Sequence, residues 1–285
     1  MHNCVPRHPI SEELLMSIVL VHGAWTGAWT WKDAAQLLRS WGYQVYAPTL
    51  TGLAERSHVP PEAVGLTAHV ADVAGLMRYE DLNEVLLVGH SYGGMVITGA
   101  ADIETDRVAG MVYFDAVVPE SGQSFHDIMP ADLMQAQLER AEAFDGGNSL
   151  PHPHADGIPP GIAGSDKFNH LFTTQPIRTL REPWVSVRAE ATWPPRRYVL
   201  CRDYVGSTFQ TIAARVKHEP DWTYEELPAL HDVVRTNPAM TADTIRRAAE
   251  SLSIPKIRPE PTVSEHIDAS IGRQHTPKEE PNTHD

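Results

Sequence analysis

Ser91 stands in Gly89-His90-Ser91-Tyr92-Gly93, a G-x-S-x-G arrangement. A serine hydroxyl is a weak nucleophile until a base takes its proton, and it must be presented to a carbonyl on a sharp, exposed turn. The flanking glycines have a steric purpose there, because a Cβ beside the serine would collide with the neighbouring strand or helix. A Gly-rich turn opening a helix with a serine cap is the plainer reading of the same five residues. The context weighs against it. Residues 85–88 are a wholly apolar run leading in, and 92–101 a helical stretch leading out, so the motif occupies a strand-to-helix turn.

The base is expected after the last strand, since this chemistry on an α/β sheet runs in the chain order serine, acid, histidine. His231, in Pro228-Ala229-Leu230-His231-Asp232, follows a predicted strand at 223–227 and precedes the final predicted helix at 238–252. His218 reads as a helix-end surface residue, and His22 and His90 as packing and turn-orienting groups too close to the nucleophile's backbone. A tetrahedral oxyanion needs two backbone N–H groups aimed at it. Tyr92 supplies one as the residue after the nucleophile. Ala24, in His22-Gly23-Ala24-Trp25, supplies the other, and Gly23 lets that backbone approach. Trp25 is a candidate pocket wall, while Trp29 and Trp31 are mostly core.

These groups need a frame to bring them together. Residues 17–21, 85–88 and 108–114 read as strands buried on both faces, and 44–47 as a shorter one. Helices are predicted at 29–40, 67–79 and 92–101, with a loop at 49–65. Strand and helix alternate, which predicts an α/β fold: a mostly parallel sheet flanked by helices. The rhythm breaks at Pro119 and resumes with a strand at 198–201 and a helix at 209–216. The block from 119 to about 195, with one helical stretch at 131–144 and a loop at 146–164, reads as an inserted cap. Phe125, Phe168, Phe172 and Trp184 are its candidate substrate contacts. Residues 1–15 read as an N-terminal extension ahead of a start at Met16. Residues 253–285, with five prolines and no aromatic side chain, read as a disordered tail. The predicted domain is therefore 16–252.

The formal charge of −14 argues against nucleic acid or an anionic membrane as the main partner, leaving a small molecule. Cys4 and Cys201 make neither a disulfide framework nor a zinc spacing, which suggests a reducing, cytoplasmic setting. The apolar run at 14–21 is far short of the roughly 20 residues of a membrane span and lacks a signal peptide's flanks. His152-Pro153-His154 with Asp156 lacks a third and fourth ligand of metal type. There is no phosphate loop and no G-x-G-x-x-G fingerprint. Neither a metal nor a cofactor is expected.

The segments VLVHGAW, APTLTGLAERSH, VLLVGHSYGGMVITG and VYFDAVVPESGQS resemble the α/β-hydrolase superfamily. The likeness is greatest to the bacterial subgroup typified by carbendazim hydrolase, a carbamate-ester-cleaving enzyme. Plant methyl esterases and hydroxynitrile lyases are more distant. It continues more thinly through TTQPIRTLREPW to HDVV and the last helix, over about 16–252. The resemblance implies a capped α/β-hydrolase fold and a cofactor-free serine hydrolase. Most of the superfamily keeps its acid where Asp203 stands here, but carbendazim-type sequences hold none at that point. Asp115 ends the strand beside the nucleophile's strand and matches the position from which some relatives, such as a group of haloalkane dehalogenases, supply theirs. Asp115 is the favoured acid, Asp203 the second candidate, and Glu120, more simply a cap-hinge residue, the third. Leu230 and Val234 depart from the Gly and Met that relatives usually carry. The expected reaction is hydrolysis of an ester or ester-like carbamate of a small, largely apolar molecule through an acyl-enzyme. A non-catalytic receptor on the same fold is the alternative. A hydroxynitrile-lyase reaction is disfavoured because Asp232 replaces the lysine those enzymes carry after the histidine.

Overall fold

β-Branched and aliphatic side chains in unbroken runs can be buried on both faces of a sheet at once. The computed structural model, which describes residues 16–153, 170–188, 193–205 and 207–252, uses them that way. In chain order the strands are β1 (Ser17–Val21), β2 (Gln44–Tyr46), β3 (Val85–His90), β4 (Val108–Phe114), β5 (Ser149–Leu150), β6 (Gln175–Pro176), β7 (Arg196–Cys201) and β8 (Trp222–Leu227). Six of them form one sheet in the order β2-β1-β3-β4-β7-β8, every neighbouring pair parallel. β5 and β6 pair antiparallel in the insert.

The two-residue side-chain period divides each central strand between two cores. Ile18, Leu20, Leu86, Val88, Val112 and Phe114 enter one; Val19, Val21, Leu87, Met111 and Tyr113 enter the other. The first is closed by α1 (Lys32–Ser40), the short α8 (Val233–Thr236) and α9 (Pro238–Leu252), through Ala34, Ala35 and Leu38, through Val233 and Val234, and through Ala242, Ile245 and Ala249. The second is closed by α2 (Leu66–Tyr79), α3 (Gly93–Ile103) and α7 (Thr208–Val216). Helices therefore cover both faces, as the alternating pattern predicts.

Most differences from the predicted boundaries lie at element ends. The predicted helix at 29–40 begins as a 3-10 turn, Ala28–Trp31, and becomes α-helical at Lys32. β3 continues to His90, because Gly89 and His90 still pair with Tyr113 and Phe114 of β4. The insert holds more regular structure than its Pro- and Gly-rich composition suggests. α5 (Ala131–Asp145) matches the helical stretch predicted at 131–144, but α4 (Phe125–Ile128) and α6 (Ile177–Arg181) were not predicted, and β5 falls inside the predicted loop at 146–164, held there by its pairing with β6. α4 starts on a reciprocal cap: Ser124 Oγ accepts the Asp127 N–H at 3.2 Å, and the Asp127 carboxylate accepts the Ser124 N–H at 2.8 Å. α5 stops at Gly146, whose φ of +74° is a left-handed cap that glycine adopts without strain. The predicted extension at 1–15 and tail at 253–285, together with Phe168, His154 and Asp156, lie outside the described residues.

Candidate active site

The loops leaving the carboxyl ends of β1, β3, β4 and β8 converge, where open α/β sheets characteristically place their ligands. Ser91 is the first residue past β3 and has φ +55°, a left-handed conformation that costs an L-residue about 1–2 kcal/mol. The surroundings hold it there. Its N–H donates to Phe114 O at 3.4 Å, and its carbonyl accepts the N–H groups of Gly94 and Val117, each at 3.1 Å. The motif's second glycine is required sterically: a Cβ on Gly93 would stand 2.7 Å from Val21 O and 2.9 Å from His22 O. On the facing loop, a Cβ on Gly23 would lie 3.0 Å from Ser91 Cβ, so the candidate oxyanion loop sits directly against the candidate nucleophile.

Asp115 follows β4, also with positive φ (+45°), and is fully buried. Its Oδ1 accepts the Cys201 N–H at 3.0 Å, and its Oδ2 lies 2.6 Å from Nδ1 of His231. A carboxylate only accepts, so Nδ1 carries the proton and Nε2 remains the basic nitrogen. The His231 ring is gripped on its faces as well. Phe209 stacks on it at 4.6 Å between centroids with 12° between planes, Tyr204 at 5.3 Å, and His90 lies 4.6 Å away, tilted by 36°. His90 Nε2 donates to the His231 carbonyl at 2.9 Å, tying the base's loop to the residue before Ser91.

The other two carboxylates stand apart from this pair. Asp203 is half exposed and pairs with Arg202 at 3.7 Å. Glu120 is exposed and pairs with Arg215. The structure thus brings Asp115, and neither alternative, to His231. Asp232 pairs with Arg235, and that guanidinium helps to hold its carboxyl below the ordinary value against the opposing effect of burial.

Gly23 O accepts two bonds, from His22 Nδ1 at 2.8 Å and from the Thr26 hydroxyl at 3.0 Å. That carbonyl belongs to the same peptide plane as the Ala24 N–H, so gripping one end aims the other. Among the described residues nothing accepts the N–H of Ala24 or of Tyr92. His22 is neutral: Leu50 N–H donates to its Nε2 at 3.0 Å, and burial depresses its pKa to about 4. The Tyr92 side chain is anchored likewise. Its hydroxyl lies 2.9 Å from Nδ1 of His69, whose Nε2 donates to Thr51 O at 2.8 Å, and burial holds His69 at about 4.

Of the predicted wall residues, Trp25 and Phe172 both meet His152. Trp25 lies edge-on to that ring at 5.8 Å, and Phe172 stacks on it at 3.9 Å. Phe125 packs edge-on to Tyr92 at 6.1 Å. Trp184 faces elsewhere, packing on Trp193 and lining a separate cavity of about 300 Å³ with Thr98, Tyr113 and Arg196. The sequence reading did not single out His69, Gln175, Tyr204 or Phe209 for the site. Of these only Gln175 lay in a quoted segment, TTQPIRTLREPW; the others carried no signal beyond residue type.

Residues 18–259 match the alpha/beta hydrolase family model. The chain belongs to the alpha/beta hydrolase family. Its relatives include the carbendazim hydrolyzing esterase of Nocardioides sp. (strain SG-4G), 35% identical over 238 residues, which are 81% of this chain and 98% of that protein. The pyrethroid hydrolase of Sphingobium wenxiniae is 33% identical over 263 residues, 82% of this chain and 88% of that one. Among solved structures, an extracellular alpha/beta-hydrolase from a Paenibacillus species superposes with a TM-score of 0.72 at 25% identity, covering 82% of this chain and 98% of its own. The expected resemblance is borne out. Among the described residues of this hydrolase-family chain, no helix is long and apolar enough to cross a membrane.

Proposed function

We propose that the protein is a serine hydrolase that cleaves an ester or ester-like carbamate of a small, largely apolar molecule. The observation that carries this reading is the 2.6 Å bond from Asp115 to Nδ1 of His231, which leaves Nε2 as the proton acceptor. Ser91 Oγ attacks the carbonyl carbon as His231 Nε2 takes its proton. The resulting oxyanion receives the two unengaged N–H groups of Ala24 and Tyr92. His231, now imidazolium and paired with the Asp115 carboxylate, returns the proton to the leaving alkoxide as the carbonyl–oxygen bond breaks. A water deprotonated by the same nitrogen then cleaves the acyl-enzyme and regenerates Ser91.

The walls support the substrate class. Trp25, Phe172 and Phe125 present aromatic surface beside the oxyanion loop and Tyr92, and the named relatives are a carbendazim hydrolyzing esterase and a pyrethroid hydrolase. In this reading the insert at 119–195 is a cap that furnishes most of that surface.

The test is labelling of Ser91 by a fluorophosphonate, together with turnover of a panel of aryl esters and methyl carbamates. We expect labelling and turnover in the wild type and the loss of both in Ser91→Ala and His231→Ala. A folded wild type that takes no label and turns over no ester, yet binds the same molecules, overturns the hydrolase reading in favour of a receptor.

A further inference from the structure

Three consecutive peptides of the oxyanion loop are held from two directions. From the sheet side, His22 and Thr26 grip the Gly23 carbonyl. From the insert, Gln175 Oε1 accepts the Trp25 N–H at 2.9 Å, and the Thr173 N–H donates to the Trp25 carbonyl at 3.0 Å. The indole of Trp25 adds a third tie, donating to Leu150 O at 3.1 Å. Trp25 has φ +62°, a left-handed backbone for a bulky residue, and such a conformation persists only when its surroundings impose it. The imposing groups belong to β5, β6 and the residues just before β6.

Gln175 is built for this task. It is fully buried, where an amide is costly unless both ends are bonded. Its oxygen takes Trp25. Its Nε2 donates to Thr179 Oγ1 at 2.6 Å, and that hydroxyl donates to Pro176 O at 2.6 Å. The side chain is therefore clamped to the first turn of α6 and offers Trp25 an acceptor with little rotational freedom. Fixing the Trp25 N–H fixes the Ala24–Trp25 peptide, which meets the Gly23–Ala24 peptide and its N–H at Ala24 Cα, so that with the Gly23 carbonyl also held the two Ala24 dihedrals are bounded on both sides.

We propose that Gln175 is a positioning residue that couples the inserted cap to the oxyanion amide of Ala24. This rests on the hydrolase reading above. A substrate group seated against Trp25, His152 and Phe172 presses on the elements that hold Trp25. The fit of the acyl or leaving group is then felt in kcat as well as in KM.

The experiment compares wild type with Gln175→Met, which removes the acceptor at nearly constant volume, and Gln175→Glu, which keeps an acceptor for the Trp25 N–H. The readouts are kcat and KM for a 4-nitrophenyl ester, and inhibition by an arylboronic acid, whose serine adduct is tetrahedral, and by the corresponding flat arylamide. Losing an oxyanion donor outright costs about 100- to 1,000-fold, so a misaimed one lowers kcat about 10- to 100-fold in Gln175→Met and weakens the boronic acid by a similar factor. KM and amide inhibition stay within about threefold, and Gln175→Glu recovers part of kcat. An unchanged kcat, or a KM and amide Ki that worsen as much as kcat, overturns the proposal. If Gln175→Met does not fold, Thr179→Val, which frees the Gln175 amide from its clamp, is judged by the same criteria. Fluorophosphonate labelling of the wild type separates the two ideas. No label sinks the hydrolase reading itself, whereas a labelled wild type with an unchanged Gln175→Met kcat sinks this coupling alone.

Discussion

Phe209 lies flat against His231, with 4.6 Å between ring centroids and 12° between ring planes. Phe209 is buried, at the start of α7, and its carbonyl accepts the Tyr198 hydroxyl at 3.2 Å, so the ring is fixed from the sheet. A face of that kind limits the rotation of the imidazole and attracts the imidazolium formed in the transition state, an interaction worth about 0.5–2 kcal/mol. We expect Phe209→Leu to lower kcat about 3- to 30-fold with little change in KM, and Phe209→Tyr to retain most of the rate. Steady-state kinetics on an aryl ester decides it; equal losses in both variants would reject the role of the aromatic face.

The three candidate acids make a sharper comparison. Asp115→Asn removes the acceptor that sets the His231 tautomer, and a loss of about 10³- to 10⁴-fold in kcat is expected. Asp203→Asn, whose side chain is half exposed and paired with Arg202, should stay within about twofold, as should Glu120→Gln. A large loss in Asp203→Asn would move the acid to the loop after β7.

Ser91 pays for its placement in backbone strain, which a double comparison reveals. Ser91→Ala keeps φ +55° under a Cβ, whereas Ser91→Gly relieves it. We expect Ser91→Gly to be the more stable of the two by about 0.5–1 kcal/mol, despite the added freedom of its unfolded chain. Chemical denaturation of both inactive variants is the measurement, and the opposite order would place the strain elsewhere.

Three buried imidazoles give folding a defined pH dependence. His22, His69 and His90 are each depressed from 6.5 to about 4, chiefly because burial penalises the charged ring. Below pH 6.5 the unfolded chain takes up protons that the folded one refuses. The stability linked to these rings is therefore complete above 6.5 and lost as pH falls toward 4. The slope approaches about 1.4 kcal/mol per pH unit for each ring. Urea unfolding between pH 7.5 and 4.5 should show it, and His69→Gln should reduce the proton uptake on unfolding by about one. A stability that stays level down to pH 5 would contradict the neutral assignment.

The legible part of this protein is the part that local chemistry dictates. Unbroken aliphatic runs have few options besides buried parallel strands, so β1, β3 and β4 read directly, and the turn after β3 announced Ser91. His231 followed from chain order, whereas Asp115 was favoured through the resemblance, as a residue ending the strand beside β3, with Asp203 and Glu120 left open. The contacts that hold these groups were not legible. Phe209 meets His231 across 22 residues of chain, His69 meets Tyr92 across 23, and Gln175 meets Trp25 across 150. No periodicity encodes such pairings, and they exist only once the sheet order is set. Within the insert the helix at 131–144 was legible, but its shorter elements were not. Ser124 with Asp127, three residues apart, carried a helix-start signal that the surrounding Pro and Gly content obscured.

The strand β7 holds Asp115 by main-chain groups alone, the Cys201 amide on its carboxylate and the Val199 carbonyl on its N–H, and contributes no side chain to the proposed triad. An amide is present whatever residue occupies position 201, so this support survives substitution of the side chain. Nucleophile and acid then sit on neighbouring strands, β3 and β4, and only the His231 loop must arrive from the far edge. The segment joining β7 to α7 is thereby relieved of supplying the carboxylate, and its part at the base is reduced to the Tyr204 ring and the bond from the Asp203 N–H to Ala229 O at 3.1 Å. Substitutions there that keep the Tyr204 ring against His231 leave the acid–base pair intact.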